Sequence, residues 1–159
     1  MTEEKQIRNS ESRIQNSESG NPNPESKTQN SESGTRLDRK PARSFTDLIV
    51  WQRAHALVLE IYRHSEGFPT HEVNGLRSQI RSSGTSVPAN IAEAFRKRSP
   101  RDKVRVLNIV QSSLEETRYH AILAFDLGYL KTDLMPQVDE VGRLLDAYVA
   151  SILQSPRWP

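Results

Sequence analysis

Between residues 46 and 153 the apolar side chains recur every three or four positions in four successive segments, and nowhere do they alternate as a half-buried strand requires. That spacing restricts the folded part to packed helices. In the first segment Leu48, Trp51, Ala54, Leu57 or Val58, and Ile61 or Tyr62 share a face. Ser44 or Thr46 can cap its start, and Gly67-Phe68-Pro69 supplies the stop. The second segment begins after Thr70 and carries Val73, Leu76, Ile80, Ile91 and Phe95, which predicts a helix over about 71–98. Ser82-Ser83-Gly84-Thr85-Ser86-Val87-Pro88 falls in its middle. Gly and Ser are poor interior formers, and Pro88 removes a donor at a cost of roughly 3 kcal/mol. A kink or interruption near 84–88 is therefore expected.

Ser99-Pro100 opens the third segment as cap and first helical residue, Asp102 suits its first turn, and Gly128 ends it. Two stripes run along it. Leu107, Val110, Leu114, Ala121 and Phe125 make one; Val106, Ile109, Ser113, Leu123 and Leu127 make the other. One stripe suffices for an outer helix, so two suggest a central helix or one that also faces another subunit. The fourth segment starts near Thr132 or Asp133 with Pro136 in its first turn, and Leu134, Val138, Val141, Leu145, Tyr148 or Val149, and Ile152 form its stripe. Short connections between four such helices make an all-α, antiparallel up-and-down four-helix bundle the economical fold, over residues 44–155.

Residues 1–43 differ. Asn9-Ser10-Glu11-Ser12, Asn16-Ser17-Glu18-Ser19, Asn23-Pro24-Glu25-Ser26 and Asn30-Ser31-Glu32-Ser33 recur at every seventh residue, without the apolar positions that a coiled coil needs. Such a tail buries too little surface to offset its ordering entropy and is expected to be disordered. The sequence has no cysteine, which excludes disulfides, thiolate metal sites and a Cys nucleophile. No signal peptide is expected behind Met1-Thr2-Glu3-Glu4-Lys5, and no apolar run approaches the roughly 20 residues of a membrane span. A cytoplasmic protein without membrane partners is the expectation.

The densest charge is Arg96, Lys97, Arg98, Arg101, Lys103 and Arg105, six cations against the single acid Asp102, with Arg77 and Arg81 one turn apart upstream. Clustered cations of this kind suit phosphate contacts, which need positive charge along a surface more than fixed geometry. Phe95 is the only interleaved aromatic, so base stacking contributes little and backbone binding of RNA or DNA without sequence preference is the expected mode. The alternative is a solvated turn with ordinary helix-end charges. Glu60 with His64, and Glu116 with His120, lie four apart rather than at the three-residue spacing of carboxylate-bridged metal bundles, so neither metal nor cofactor is expected. No phosphate loop, Ser/His/Asp set or paired-carboxylate arrangement points to an enzyme. Asn90 and Glu93 read as buried polar residues that fix register, and Trp51 and Tyr62 as core anchors.

Several stretches carry a resemblance. They are Phe45-Thr46-Asp47-Leu48-Ile49-Val50-Trp51-Gln52, Tyr62, Phe68-Pro69, Gly75-Leu76, Gln79-Ile80-Arg81, Ser86-Val87-Pro88-Ala89-Asn90-Ile91-Ala92-Glu93, Ser113-Leu114-Glu115-Glu116 and Leu127-Gly128-Tyr129-Leu130. Residues 45–153 resemble the bacterial four-helix-bundle family encoded in intervening sequences of large-subunit ribosomal RNA genes. That family also includes the accessory variability-determinant subunits of diversity-generating retroelements. The resemblance implies a barrel-like homopentamer, a basic surface for RNA or DNA and, in the retroelement branch, a reverse-transcriptase partner. It marks Trp51, Gln79, Pro88, Asn90 and Glu93 as structural motif positions. Where the family has Gly after Asn-Ile-Ala-Glu, this chain has Ala94, which puts a close backbone approach there in question.

Overall fold

The computed structural model describes residues 41–154; the low-complexity reading of 1–43 falls, up to residue 40, outside them. Four α-helices make up the described part: α1 (Ile49–Ser65), α2 (Leu76–Arg96), α3 (Pro100–Asp126) and α4 (Met135–Leu153), with short 3-10 turns at Phe45–Asp47 and Thr70–Glu72. No strand occurs among the described residues. Each helix packs on its neighbours in sequence, and α1 closes the arrangement against α4. Along α2 the partners Ser83 and Ser86 meet His120 and Ser113 in descending order on α3, so these two helices run in opposite directions.

Local chemistry accounts for the element ends. The Ser44 side chain and the Asp47 carboxylate form a reciprocal capping box ahead of α1. Backbone N–H groups of Ser44 and Arg43 donate to that carboxylate and hold Asp47 below the usual carboxylate range. Ser99 accepts from the Asp102 N–H with Pro100 in the first turn. At the far end of α3, Gly128 takes a φ of 72°, and the N–H groups of Gly128 and Tyr129 donate to Phe125 O and Ala124 O. This is the left-handed ending that glycine makes inexpensive.

The second helix departs from expectation at two places. It begins at Leu76 rather than near 71, and it is continuous through Pro88 with no interruption at 84–88. Packing explains the continuity. Val87 and Ile91, on either side of Pro88, are 1% and 0% exposed, and burying two such side chains contributes about 3–6 kcal/mol against roughly 3 for the proline. Side chains also occupy nearby carbonyls: Thr85 Oγ1 donates to Arg81 O at 2.8 Å and Asn90 Nδ2 to Ser86 O at 2.9 Å. Gly84 lies against α1, where a Cβ would stand 2.8 Å from Ile61 Cδ1. Ala94 is fully buried, so the helix accommodates a methyl group at the position where the resemblance leads to the expectation of glycine.

The core joins Ala54, Leu57 and Ile61 of α1 to Ile80 and Ile91 of α2, Val110 and Leu114 of α3, and Val138, Val141 and Leu145 of α4. Two sequence expectations fail here. Tyr62 and Phe125 are exposed, not core. The second stripe of α3 divides: Val106 and Ser113 join the core, Leu123 packs at its edge, and Ile109 and Leu127 face outward. Neighbouring helices cover only part of each stripe. Ion pairs from Arg118 to Asp139 (2.7 Å) and from Arg53 to Glu140 (3.1 Å) tie α4 to α3 and α1.

Candidate nucleic-acid interface

The turn between α2 and α3 exists because Lys97 leaves the helix in an extended conformation and Ser99-Pro100 starts the next one. Two helix ends rich in cations are thereby brought within a few residues of each other. Lys97 Nζ pairs with Glu93 at 2.9 Å. Lys103 Nζ donates to Phe95 O at 3.5 Å and lies 5.8 Å from the Phe95 ring centre, which neutralises the carbonyl end of α2. Arg96, Arg98, Arg101 and Arg105 are exposed and have no ion pair among the described residues. Of the six cations read from the sequence, four are thus free to meet a polyanion and two are occupied at home.

Arg77 and Arg81 lie elsewhere. At 1.5 Å per residue, Arg81 is about 22 Å down the α2 axis from Arg96. Arg81 Nε donates to Ser65 Oγ at 2.7 Å and an Nη to Tyr62 O at 3.1 Å. The eight basic residues therefore form two groups.

The motif positions also separate. Pro88 is buried, and Trp51 packs at the core edge, stacked on His55 at 5.0 Å. Gln79 is exposed. Asn90 is half-buried and donates to Ser86 O and Oγ within its own helix. Glu93, expected in the interior, is exposed and held by Lys97. Register between α2 and α3 comes instead from Ser86 Oγ, 2.9 Å from Ser113 Oγ, and Ser83 Oγ, 3.3 Å from His120 Nδ1. Spacing held a signal for this seam: Ser83, Ser86 and Asn90 share one face of α2, and Ser113, Thr117 and His120 share one face of α3.

Glu60 pairs with His64 on the surface at 3.3 Å, whereas His120 turns to Ser83. No group of three or more potential metal ligands forms among the described residues, and no helix there is long and apolar enough to cross a membrane. Burial pushes the His120 imidazole below its ordinary value, with Glu116 opposing. The folded chain then binds fewer protons there than the unfolded chain, so this contribution is complete above the unfolded value of 6.5 and is lost as pH falls through the lower folded value. Melting temperature should therefore drop between pH 7.5 and pH 5, and less steeply in His120→Gln. Equal drops in the two proteins would remove His120 as the cause.

A model of the family described as 23S rRNA-intervening sequence protein matches residues 46–147, well over half of the chain. No curated protein matches it.

Proposed function

The chain belongs to the 23S rRNA-intervening sequence protein family, and from that premise we propose that it is a non-enzymatic accessory protein that binds the phosphate backbone of RNA or DNA without sequence preference. One observation carries the reading: Arg96, Arg98, Arg101 and Arg105 stand exposed around a single turn with no ion pair among the described residues. Phe95 is the only aromatic side chain interleaved with them and Lys103 already lies over its ring, which favours phosphate over base contacts. Each neutralised phosphate adds about 0.7 to 0.9 to the slope of log affinity against log salt. Titration of labelled RNA and DNA of unrelated sequence at 50–200 mM salt should give steep slopes and similar affinities. No binding at the lowest salt would defeat the proposal.

A second reading is a scaffold for a protein partner, such as the reverse transcriptase of the retroelement branch. The apolar side chains left on α3 favour it, among them Ile109, Tyr119 and Ile122. Capture insensitive to salt would distinguish it from phosphate binding.

Both readings are compatible with a homo-oligomer, for which a pentamer is the family's expectation. Ile109 is 46% exposed, so Ile109→Glu should leave the helical content intact and convert the assembly to monomers, because an unpaired charge in an apolar interface is costly. Light scattering checks both points. A monomeric wild-type chain at micromolar concentration would end the oligomer proposal.

A further inference from the structure

Between α1 and the first half of α2 lies an open groove of about 440 Å³. Its wall carries Arg77 and Arg81, the hydroxyls of Ser78 and Ser82, and the apolar surfaces of Tyr62 and Val73. Neither arginine has a carboxylate within ion-pair distance among the described residues. Like charges four residues apart on a helix repel, and no carboxylate of the described residues offsets this pair in the groove.

The two guanidinium groups differ in a useful way. Arg81 is fixed: it stacks 4.5 Å above the Tyr62 ring and donates to Ser65 Oγ and Tyr62 O, which leaves the Nη1 edge unspent. Arg77 makes no side-chain hydrogen bond to the described residues, nor do the Ser78 and Ser82 hydroxyls. A preorganised fork beside one with no partner among the described residues, with neutral donors and an aromatic wall, matches the needs of a phosphate dianion attached to an apolar or aromatic body.

We propose that this groove is a phosphate monoester site, with Arg81 as the fixed contact and Arg77 as the closing one. It is separate from the basic α2–α3 turn and does not depend on nucleic-acid binding there. A dianion suits two guanidinium groups better than the single charge of a diester. The second phosphate proton binds with a pKa near 6, so affinity should fall as pH is lowered through that value.

The test is isothermal titration of the full chain with inorganic phosphate, phenyl phosphate, and one short oligonucleotide in 5′-phosphorylated and 5′-hydroxyl forms. Saturable binding of phenyl phosphate, tighter than inorganic phosphate, is expected. Tighter binding of the 5′-phosphorylated strand than of its 5′-hydroxyl form, with the difference lost in Arg77→Gln, would identify a nucleic-acid end as the source, and equal binding of the two strands a small ester. Arg77→Gln, whose melt should be unchanged, should weaken binding about tenfold or more, the effect of one charge-assisted hydrogen bond. Replacement of Arg98, Arg101 and Arg105 by Ser should leave phenyl phosphate binding as it is. Absence of saturation with phenyl phosphate together with equal binding of the two strands, or wild-type phenyl phosphate affinity in Arg77→Gln, would overturn the site.

Discussion

Replacing Arg98, Arg101 and Arg105 together by Ser should lower the salt slope of RNA and DNA binding by about 2 to 3 per chain. All three side chains are exposed and lack ion pairs among the described residues, so nothing in the fold loses a partner. Affinity should fall by a similar factor for every sequence, since phosphate contacts position the chain without reading bases. In an oligomer the loss multiplies, because repeated weak contacts act together. Helicity, melting temperature and mass should stay within error, as exposed charges contribute little to stability. An unchanged slope would place the polyanion surface elsewhere on the molecule. A slope restored by Lys at the three positions would show that charge, not guanidinium geometry, is what the contact needs.

The largest effect on stability is expected from Gly84→Leu. The helix seam closes over this residue so tightly that even a methyl group would meet Ile61 Cδ1 at 2.8 Å, and Ile61 is 1% exposed. Overpacking of this kind costs about 1–3 kcal/mol, or several degrees of melting temperature for a domain of this size. Gly84→Ala should be nearly neutral, since a gain of about 1 kcal/mol in helix propensity offsets the shift it asks of Ile61. Shortening the neighbour tests the mechanism directly: Gly84→Leu should be less damaging in an Ile61→Ala background than the two separate effects sum to. Strict additivity would show that the leucine destabilises by some route other than Ile61, and a wild-type melt for Gly84→Leu would dismiss the close approach itself.

The candidate site was partly legible in advance. Cations adjacent along the chain, such as Arg96 to Arg105, remain near each other in any fold that places a tight turn at Ser99. The pairing of Lys97 with Glu93 follows from their four-residue spacing on a helix. Arg81 was not legible, because its partners Ser65 and Tyr62 lie 16 and 19 residues away and meet it only when α1 packs on α2. The same contact draws Tyr62 out of the interior and under a guanidinium, where periodicity alone placed it in the core.

The boundary between the two kinds of information follows the range of the forces involved. Helix number, the Ser99-Pro100 start and the Gly128 stop of α3, and the buried face of α4 depend on residues within one or two turns, so the sequence by itself determined them. The continuity of α2 through Pro88, the division of the α3 stripe between core and surface, and the lack of a carboxylate partner for Arg77 and Arg81 among the described residues were decided only by tertiary structure. Each depends on which surfaces from distant parts of the chain come into contact, and burial of that kind outweighs local propensity wherever several apolar side chains leave water together.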